Sequence, residues 1–171
     1  MVIFHDYKGA APKIAAGVFV AENAVIVGDV AVGKHSSIWY NCVLRGDVNN
    51  IIIGERTNIQ DATVIHVSST GQGTYIGSGV TVGHMAMLHA CTIEDDAFIG
   101  MKACVMDGAY VETGAMVAAG ALVTPNKRIP SGQLWGGSPA RFMRHLTEEE
   151  KAYILHSSKH YVGIASNYLQ N

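Results

Sequence analysis

An aliphatic residue recurs at every sixth position along most of this 171-residue chain. The series has eighteen members: Ile14, Val20, Ile26, Val32, Ile38, Leu44, Ile53, Ile59, Ile65, Ile76, Val82, Leu88, Ile93, Ile99, Val105, Val111, Val117 and Val123. A period of six fits neither the 3.6-residue turn of an α-helix nor a heptad, and nearly every unit contains a β-branched residue or a glycine. The repeat therefore predicts an all-β fold, a parallel β-helix of about six triangular coils with three units in each coil.

The repeat is irregular in three places. There are three extra residues within 44–53, five extra within 65–76, and one residue too few within 88–93. When the units are counted in threes, all three irregularities fall at the same corner of the triangle. Loops that collect at one edge of a repeat protein usually mark its functional edge.

The pattern divides the single expected domain into three parts. Residues 1–12 are expected to cap one end, residues 13–124 to form the β-helix, and residues 125–171 to form a connector and C-terminal helices. In the last part, Ser138 followed by Pro139 predicts a short helix to about His145, with serine as the N-cap.

A second C-terminal helix is predicted from residue 147 to about Leu169. It opens on the sequence TEEE, which has the spacing of a capping box. A stripe of apolar residues, which includes Ile154, Tyr161 and Tyr168, indicates that this helix packs along the β-helix.

Composition restricts the environment and the partners of the chain. Hydrophobic residues make up 49% of the sequence and charged residues 15%, which favours extensive burial between subunits. A net charge of −2 without a basic cluster argues against nucleic acid. No apolar run reaches the length of a membrane-spanning helix, and the first residues lack the pattern of a secretory signal. We expect a cytoplasmic oligomer that binds no membrane.

Two histidines occupy equivalent positions in the repeat. His66 follows Ile65 and His89 follows Leu88, and these two aliphatic residues are three units, or one coil, apart. The two imidazoles should therefore stack on the same face at about 5 Å, the spacing of neighbouring strands. At that separation they can share a metal ion.

A third histidine, His84, stands two places after Val82 and so lies on the preceding face of its coil. Within one chain it is expected to be too distant to join His66 and His89. A neighbouring subunit around a threefold axis could supply it, which predicts a homotrimer with three metal sites between subunits. Three histidines with one open coordination position are typical of catalytic zinc. The other histidines lack this register and are interpreted as surface or packing residues: His5, His35, His145, His156 and His160.

The same count places polar side chains beside the histidines, on the faces that would meet between subunits. Arg45 precedes His66 by one coil, and Asp61 precedes His84 by one coil. An ion pair of Arg45 with Asp47 or Asp61 across the subunits is one expectation, because an interfacial charge needs a partner. Gln60, next to Asp61, is placed to hydrogen-bond a metal-bound water.

Several segments together resemble the gamma-class carbonic anhydrases, which belong to the hexapeptide-repeat (bacterial transferase hexapeptide) superfamily. The matching segments are 45–47 (RGD), 58–61 (NIQD), 64–66 (VIH), 82–84 (VGH) continuing to His89, and 134–141 (LWGGSPAR). The resemblance covers nearly the whole chain. It implies a left-handed β-helix and a homotrimer, with Zn²⁺, or alternatively Fe²⁺ or Co²⁺, held by His66, His84 and His89.

The resemblance also implies roles for neighbouring residues. Gln60 would lie near the metal-bound water, Arg45 and Asp61 would make contacts between subunits close to Asn58, and Tyr161 would line the site from the C-terminal helix. Two departures concern proton transfer. Val48 stands where the founding enzymes carry a glutamate, and residues 68–73 (SSTGQG) contain no carboxylate where those enzymes have an acidic loop.

The leading functional hypothesis is the reversible hydration of carbon dioxide to bicarbonate by a zinc hydroxide at the trimer interfaces. A second hypothesis is a coenzyme-A-dependent acyltransferase that uses a histidine as general base and needs no metal. A third is a metal-binding family member with weak or different, thioesterase-like, hydrolytic activity.

Overall fold

A computed structural model describes residues 3–170; Met1 and Val2, which belong to the expected N-terminal cap, lie outside the described residues. This part of the chain contains twenty β-strands and one α-helix. The strands are β1 Ile3–His5, β2 Lys13–Ile14, β3 Phe19–Val20, β4 Val25–Val32, β5 Ser37–Ile38, β6 Val43–Ile53, β7 Asn58–Ile59, β8 Val64–His66, β9 Thr74–Ile76, β10 Thr81–Val82, β11 Met87–His89, β12 Thr92–Ile93, β13 Phe98–Ile99, β14 Cys104–Val105, β15 Tyr110–Val111, β16 Met116–Val117, β17 Leu122–Val123, β18 Arg128–Ile129, β19 Gln133–Gly136 and β20 Arg141–His145. The helix, α1, spans Glu148–Gln170.

The strands form the three walls of a left-handed parallel β-helix, as expected. The chain passes through wall 1, wall 2 and wall 3 in that order within each coil. Wall 1 contains β2, the ends of β4 and β6, β9, β12, β15 and β18. Wall 2 contains β3, β5, β7, β10, β13, β16 and β19. Wall 3 contains β1, the starts of β4 and β6, β8, β11, β14 and β17.

The six-residue repeat describes the interior of this β-helix. From Ile26 onward, every aliphatic residue of the series is buried, and those of neighbouring coils are paired in register, as Ile65 is with Leu88. The repeat also continues beyond Val123, because Ile129 is fully buried and Trp135 packs against the same core. Parallel pairing accordingly extends to β18 and β19, so the coils run past the expected boundary at residue 124.

The first described strand, β1, pairs in parallel with the start of β4. Phe4 is in register with Ile26, so it occupies the position of an interior residue at the open end of wall 3. Residues 3–5 therefore add a strand to the β-helix, and the turn between Tyr7 and Ala10 follows it. This strand lies within the segment 1–12 that was expected to be a cap.

The long C-terminal helix begins and ends close to the predicted residues. Its capping box is formed: the Glu150 backbone N–H donates to Thr147 Oγ1 (3.2 Å), and the Thr147 N–H donates to Glu150 Oε2 (2.9 Å). The helix packs on wall 2, where Ile154 and Ala165 are buried and the Ser157 hydroxyl lies 2.9 Å from that of Thr81. The predicted position of α1 along the β-helix is confirmed.

The predicted short helix from Ser138 to about His145 is wrong. That segment turns after Gly137, whose φ is +93°, and returns as β20, antiparallel to β19. The physical reason is the free edge of β19, which is the last strand of wall 2. Pairing with β20 satisfies backbone groups that an edge strand would leave open, and this outweighs the local N-cap signal.

The outward side of wall 3 is apolar. The residues that precede its buried aliphatics are only partly buried: Val25, Val43, Val64, Met87, Cys104 and Leu122. Helix α1 covers wall 2 but contributes no comparable cover to this wall. Within residues 3–170, no helix is both long and apolar enough to cross a membrane.

Candidate metal centre

Four side chains form a ladder at the corner where wall 3 ends, with one residue in each of four successive coils. Asp47 Oδ1 lies 3.0 Å from His66 Nε2, His66 Nδ1 lies 3.2 Å from His89 Nε2, and His89 Nδ1 lies 2.9 Å from Asp107 Oδ2. The two imidazole centroids are 5.2 Å apart, and His66 pairs with His89 in the β8–β11 register. The predicted placement of these two histidines on one face in neighbouring coils is confirmed, with the rings tilted by 49° to each other.

The two carboxylates determine which ring nitrogens carry hydrogen. An ionised carboxylate only accepts hydrogen bonds. His66 therefore donates from Nε2 to Asp47, and His89 donates from Nδ1 to Asp107. In the neutral rings, His66 Nδ1 and His89 Nε2 are left as lone-pair acceptors that face each other at 3.2 Å. Two facing lone pairs repel each other unless a metal ion or a shared proton lies between them.

The geometry of this pair fits a divalent metal of the zinc type. With bonds of 2.0–2.1 Å, two ligand nitrogens of a tetrahedral site are about 3.3 Å apart. The observed separation is 3.2 Å. Among residues 3–170 of one chain, no group of three or more histidine, cysteine or acidic side chains is arranged to hold a metal.

His84 lies at the opposite edge of wall 3, where wall 2 ends. Its Nδ1 is 2.8 Å from Asp61 Oδ2, and both side chains are 39% exposed. The Asp61 carboxylate holds Nδ1–H, so Nε2 is left as the free acceptor. All eight histidines of the sequence lie within the described part of the chain, and there only His66, His84 and His89 have a carboxylate at a ring nitrogen.

Gln60 is oriented by a buried hydrogen-bond network. Its Nε2 donates to Asn58 Oδ1 at 3.0 Å, and Asn58 Nδ2 donates to Thr81 Oγ1 at 3.0 Å. Thr81 is joined in turn to Ser157 of helix α1. Because the amide nitrogen of Gln60 is engaged, its carbonyl oxygen remains available as an acceptor.

A pocket of about 260 Å³ brings Gln60 together with His84 and Tyr161. Much of its remaining lining is apolar, with Phe98 and Met116 among the contributors. Desolvation, together with the negative charge of Asp61, raises the pKa of Tyr161. The phenol therefore keeps its proton at neutral pH and can donate a hydrogen bond into the pocket.

Arg45 pairs with Asp47 inside the chain, at 2.5 Å. Desolvation raises the pKa of Asp47, but hydrogen bonds from Arg45 and His66 outweigh it and leave that pKa below its ordinary value. The contacts between subunits expected for Arg45 and Asp61 stay predictions. Val48 is exposed beside this cluster, and residues 68–73 lie against it through Asn49, whose Nδ2 donates to the Ser68 carbonyl.

Asp107 is the member of the ladder that the sequence did not reveal. It belongs to none of the segments that carried the family resemblance. A usable signal was present, because Asp107 follows His89 by 18 residues, the length of one regular coil. Applying the coil spacing forward from each histidine, and not only between histidines, would have found it.

Comparison with known proteins was made by sequence and by structure. "Gamma carbonic anhydrase 2, mitochondrial" of Arabidopsis thaliana is 58% identical over 159 residues, which are 90% of this chain and 57% of the relative. "Probable carbonic anhydrase" of Methanocaldococcus jannaschii is 47% identical over 152 residues, which are 89% of this chain and 95% of the relative. The crystal structure of a hexapeptide transferase family protein from Anaplasma phagocytophilum matches with a TM-score of 0.94 and 48% identity, over 97% of this chain and 98% of that one.

No family model matches the chain. The chain spans 57% and 58% of the lengths of two of the plant relatives, but nearly the full length of the archaeal one. The matched lengths, 90% and 89% of this chain, include the coils that carry the three histidines. The chain belongs to the gamma carbonic anhydrase family of hexapeptide-repeat proteins.

Proposed function

We propose that this chain catalyses the reversible hydration of carbon dioxide to bicarbonate as a homotrimer. In this proposal, His66 and His89 of one subunit and His84 of the neighbouring subunit hold a divalent metal, Zn²⁺ or alternatively Fe²⁺ or Co²⁺. The observation that carries the proposal is the pair of facing imidazole acceptors 3.2 Å apart, each ring held by its own carboxylate. The names of the relatives, which include carbonic anhydrases from plant and archaeal sources, support the reaction.

The outward surface of wall 3 supports the trimer. It is apolar, with Val64 37% exposed, and it lies between His84 at one edge and the His66–His89 pair at the other. When three copies close a ring through a head-to-tail contact, each copy brings its His84 edge to the histidine-pair edge of the next. Closure would then bury the apolar stripe and complete three sites at once.

Three neutral imidazoles leave the metal its full charge, and a metal held in this way lowers the pKa of bound water to about 7. The residues of the chain then have separable tasks. Gln60, fixed by Asn58, accepts a hydrogen bond in the pocket, and Tyr161 donates one. The apolar lining beside them excludes bulk water from the space where carbon dioxide enters.

The chain has few side chains that could carry a proton away from the site. Residues 68–73 contain no carboxylate, and Val48 is apolar. A proton released at the site is therefore expected to leave to solvent buffer. The hydration rate should rise with buffer concentration, as it does when external buffer completes the transfer.

The first test is metal content and activity measured on the same samples. We expect wild-type protein to contain about one metal ion per chain and to hydrate carbon dioxide in stopped-flow assays. His84→Ala should lose most of the metal and the activity while it keeps its fold by circular dichroism. His156→Ala serves as the matched control, because His156 is exposed on α1 and has no carboxylate partner.

Three results would contradict the proposal. Protein that holds no stoichiometric zinc, iron or cobalt after loading would remove its basis. Acetyl transfer from acetyl-coenzyme A that persists after chelation would instead indicate an acyltransferase. Full metal loading without carbon dioxide hydration would point to a different, thioesterase-like hydrolytic activity.

A further inference from the structure

We propose that Asp107 is a positioning residue for His89: by accepting Nδ1–H, it fixes the tautomer and the ring orientation that point Nε2 of His89 at His66. This inference rests on the proposed function, because it gives Asp107 a task in metal binding. It concerns a residue in the coil beyond the histidine pair, outside the segments that resemble the family.

The carboxylate of Asp107 is directed at one atom. Its Oδ2 lies 2.9 Å from His89 Nδ1, and in the described part of the chain the side chain makes no second hydrogen bond. The backbone holds it there. The Asp107 carbonyl accepts the N–H of Asn126 at 2.9 Å, and the next residue, Gly108, donates its N–H to the carbonyl of Ala90 at 2.7 Å.

The contact contributes little to stability. The Asp107 side chain is 46% exposed and that of His89 27% exposed. An ion pair or hydrogen bond between side chains this exposed contributes little to the stability of a protein, because solvent screens it. The placement of the carboxylate therefore needs an explanation other than the stability of the fold.

Ligand geometry supplies that explanation. A neutral histidine without a partner exchanges between two tautomers, and only the one protonated at Nδ1 leaves Nε2 free to bind a metal. Its ring can also rotate and exchange the positions of the two nitrogens. By accepting the Nδ1–H of His89, Asp107 prevents both tautomer exchange and ring rotation. Carboxylates that hydrogen-bond histidine ligands generally have this effect.

The effect of Asp107 can be tested by mutation independently of the other carboxylates near the histidines. Asp47 also binds Arg45, so its replacement would disturb a second contact. Asp61 lies beside the pocket that contains Gln60, within the segment 58–61. Among the described residues, the Asp107 side chain hydrogen-bonds His89 alone, so its replacement tests that one contact.

The experiment compares three variants of the full chain in its native assembly. Asp107→Ala removes the acceptor, and Asp107→Asn keeps an acceptor oxygen without the charge. Asp95→Ala is the matched control, because Asp95 is also a corner carboxylate with one hydrogen bond, from the Ser78 N–H at 2.7 Å, and contacts no histidine. Zinc affinity is measured by competition with a chromophoric chelator.

We expect Asp107→Ala to bind zinc about 10–100-fold more weakly than wild type. Asp107→Asn should recover part of that loss, and Asp95→Ala should match wild type. Long-range ¹H–¹⁵N spectra of the histidine side chains in metal-free protein give a readout that does not depend on metal. His89 should be protonated at Nδ1 in wild type and should become a mixture of tautomers in Asp107→Ala.

The possible outcomes separate the two proposals. Unchanged zinc affinity together with an unchanged His89 tautomer in Asp107→Ala would overturn the role of Asp107 while wild-type metal binding stands. An equal loss of affinity in Asp95→Ala and Asp107→Ala would assign the effect to general structural damage and also overturn it. If wild-type protein takes up no metal, the proposed function fails, and the tautomer comparison still decides whether Asp107 fixes the imidazole.

Discussion

At the scale of single residues, the corners of the coils impose a backbone conformation that few side chains favour. Ten non-glycine residues in the described part of the chain have positive φ, among them Met85 next to His84, at +60°. In most units the residue with positive φ is the third after the interior aliphatic residue. In other units glycine occupies this third position, as Gly114 does with φ +65°. The coil geometry, held by the packed interior, outweighs the local preference of each residue.

Two glycine replacements are expected to change stability in opposite directions. Gly114→Ala should destabilise the protein by about 1 kcal/mol, because alanine is strained at positive φ although the space beside Gly114 is open. Gly163→Ala should stabilise it by about 0.5–1 kcal/mol, because Gly163 lies inside helix α1 with equally open surroundings. Thermal unfolding of the two variants beside wild type measures both. Changes of the same sign would show that the backbone conformation is not the deciding factor.

At the scale of elements, helix α1 depends on its first turn. Glu150 accepts from Arg144 through both carboxylate oxygens, at 2.7 Å each, and from the Thr147 N–H. The hydrogen bond from Arg144, followed by that from Thr147, lowers the pKa of Glu150 to about 2. One carboxylate thus joins the helix start to β20.

This contact predicts a pH dependence with a definite sign. The pKa of Glu150 in the folded protein, about 2, lies below the value of about 4.3 for an unfolded glutamate. Its stabilising effect is therefore complete above about pH 4.3 and declines as the pH falls towards 2. Denaturation measured between pH 6 and pH 2.5 should show wild type losing more stability than Glu150→Gln. If the stability of the two proteins changed with pH to the same extent, Glu150 would not be the cause of this pH dependence.

At the scale of the whole molecule, the three walls have different surroundings. Helix α1 covers wall 2, and wall 1 carries ion pairs such as Arg128 with Glu112, at 2.5 Å. Wall 3 presents an apolar stripe between two histidine edges. An exposed apolar surface of this kind is typical of a protein-protein contact. This asymmetry supports wall 3 as the site of the proposed subunit contact.

Mixed trimers provide a direct test of a site shared between subunits. His84→Ala subunits keep the histidine pair, and His66→Ala subunits keep His84, so neither variant alone should form a complete site. In a trimer that contains both variants, one of the three contacts joins an intact pair to an intact His84. Random assembly at equal amounts should therefore restore about a quarter of the wild-type metal. No restoration in mixed trimers that have been verified by differential tagging would contradict a shared site.

The sequence by itself determined the β-helix and half of the site. A six-residue period has one good structural solution, because every sixth side chain must enter a common interior, and this placed His66 and His89 on adjacent coils. The capping box at Thr147 likewise located the start of α1 from local chemistry. Ile129 and Trp135 also obey the period, so the full length of the coils was present in the sequence.

Features that depend on contacts between distant segments of the chain were decided only by the tertiary structure. The segment 141–145 became a strand because the free edge of β19 was beside it, which no local signal revealed. The carboxylates on His66 and His89 were revealed only by the folded structure, whereas the repeat had already placed Asp61 one coil before His84. Asp107 follows His89 by 18 residues, but only the folded backbone shows that its carboxylate points at the imidazole.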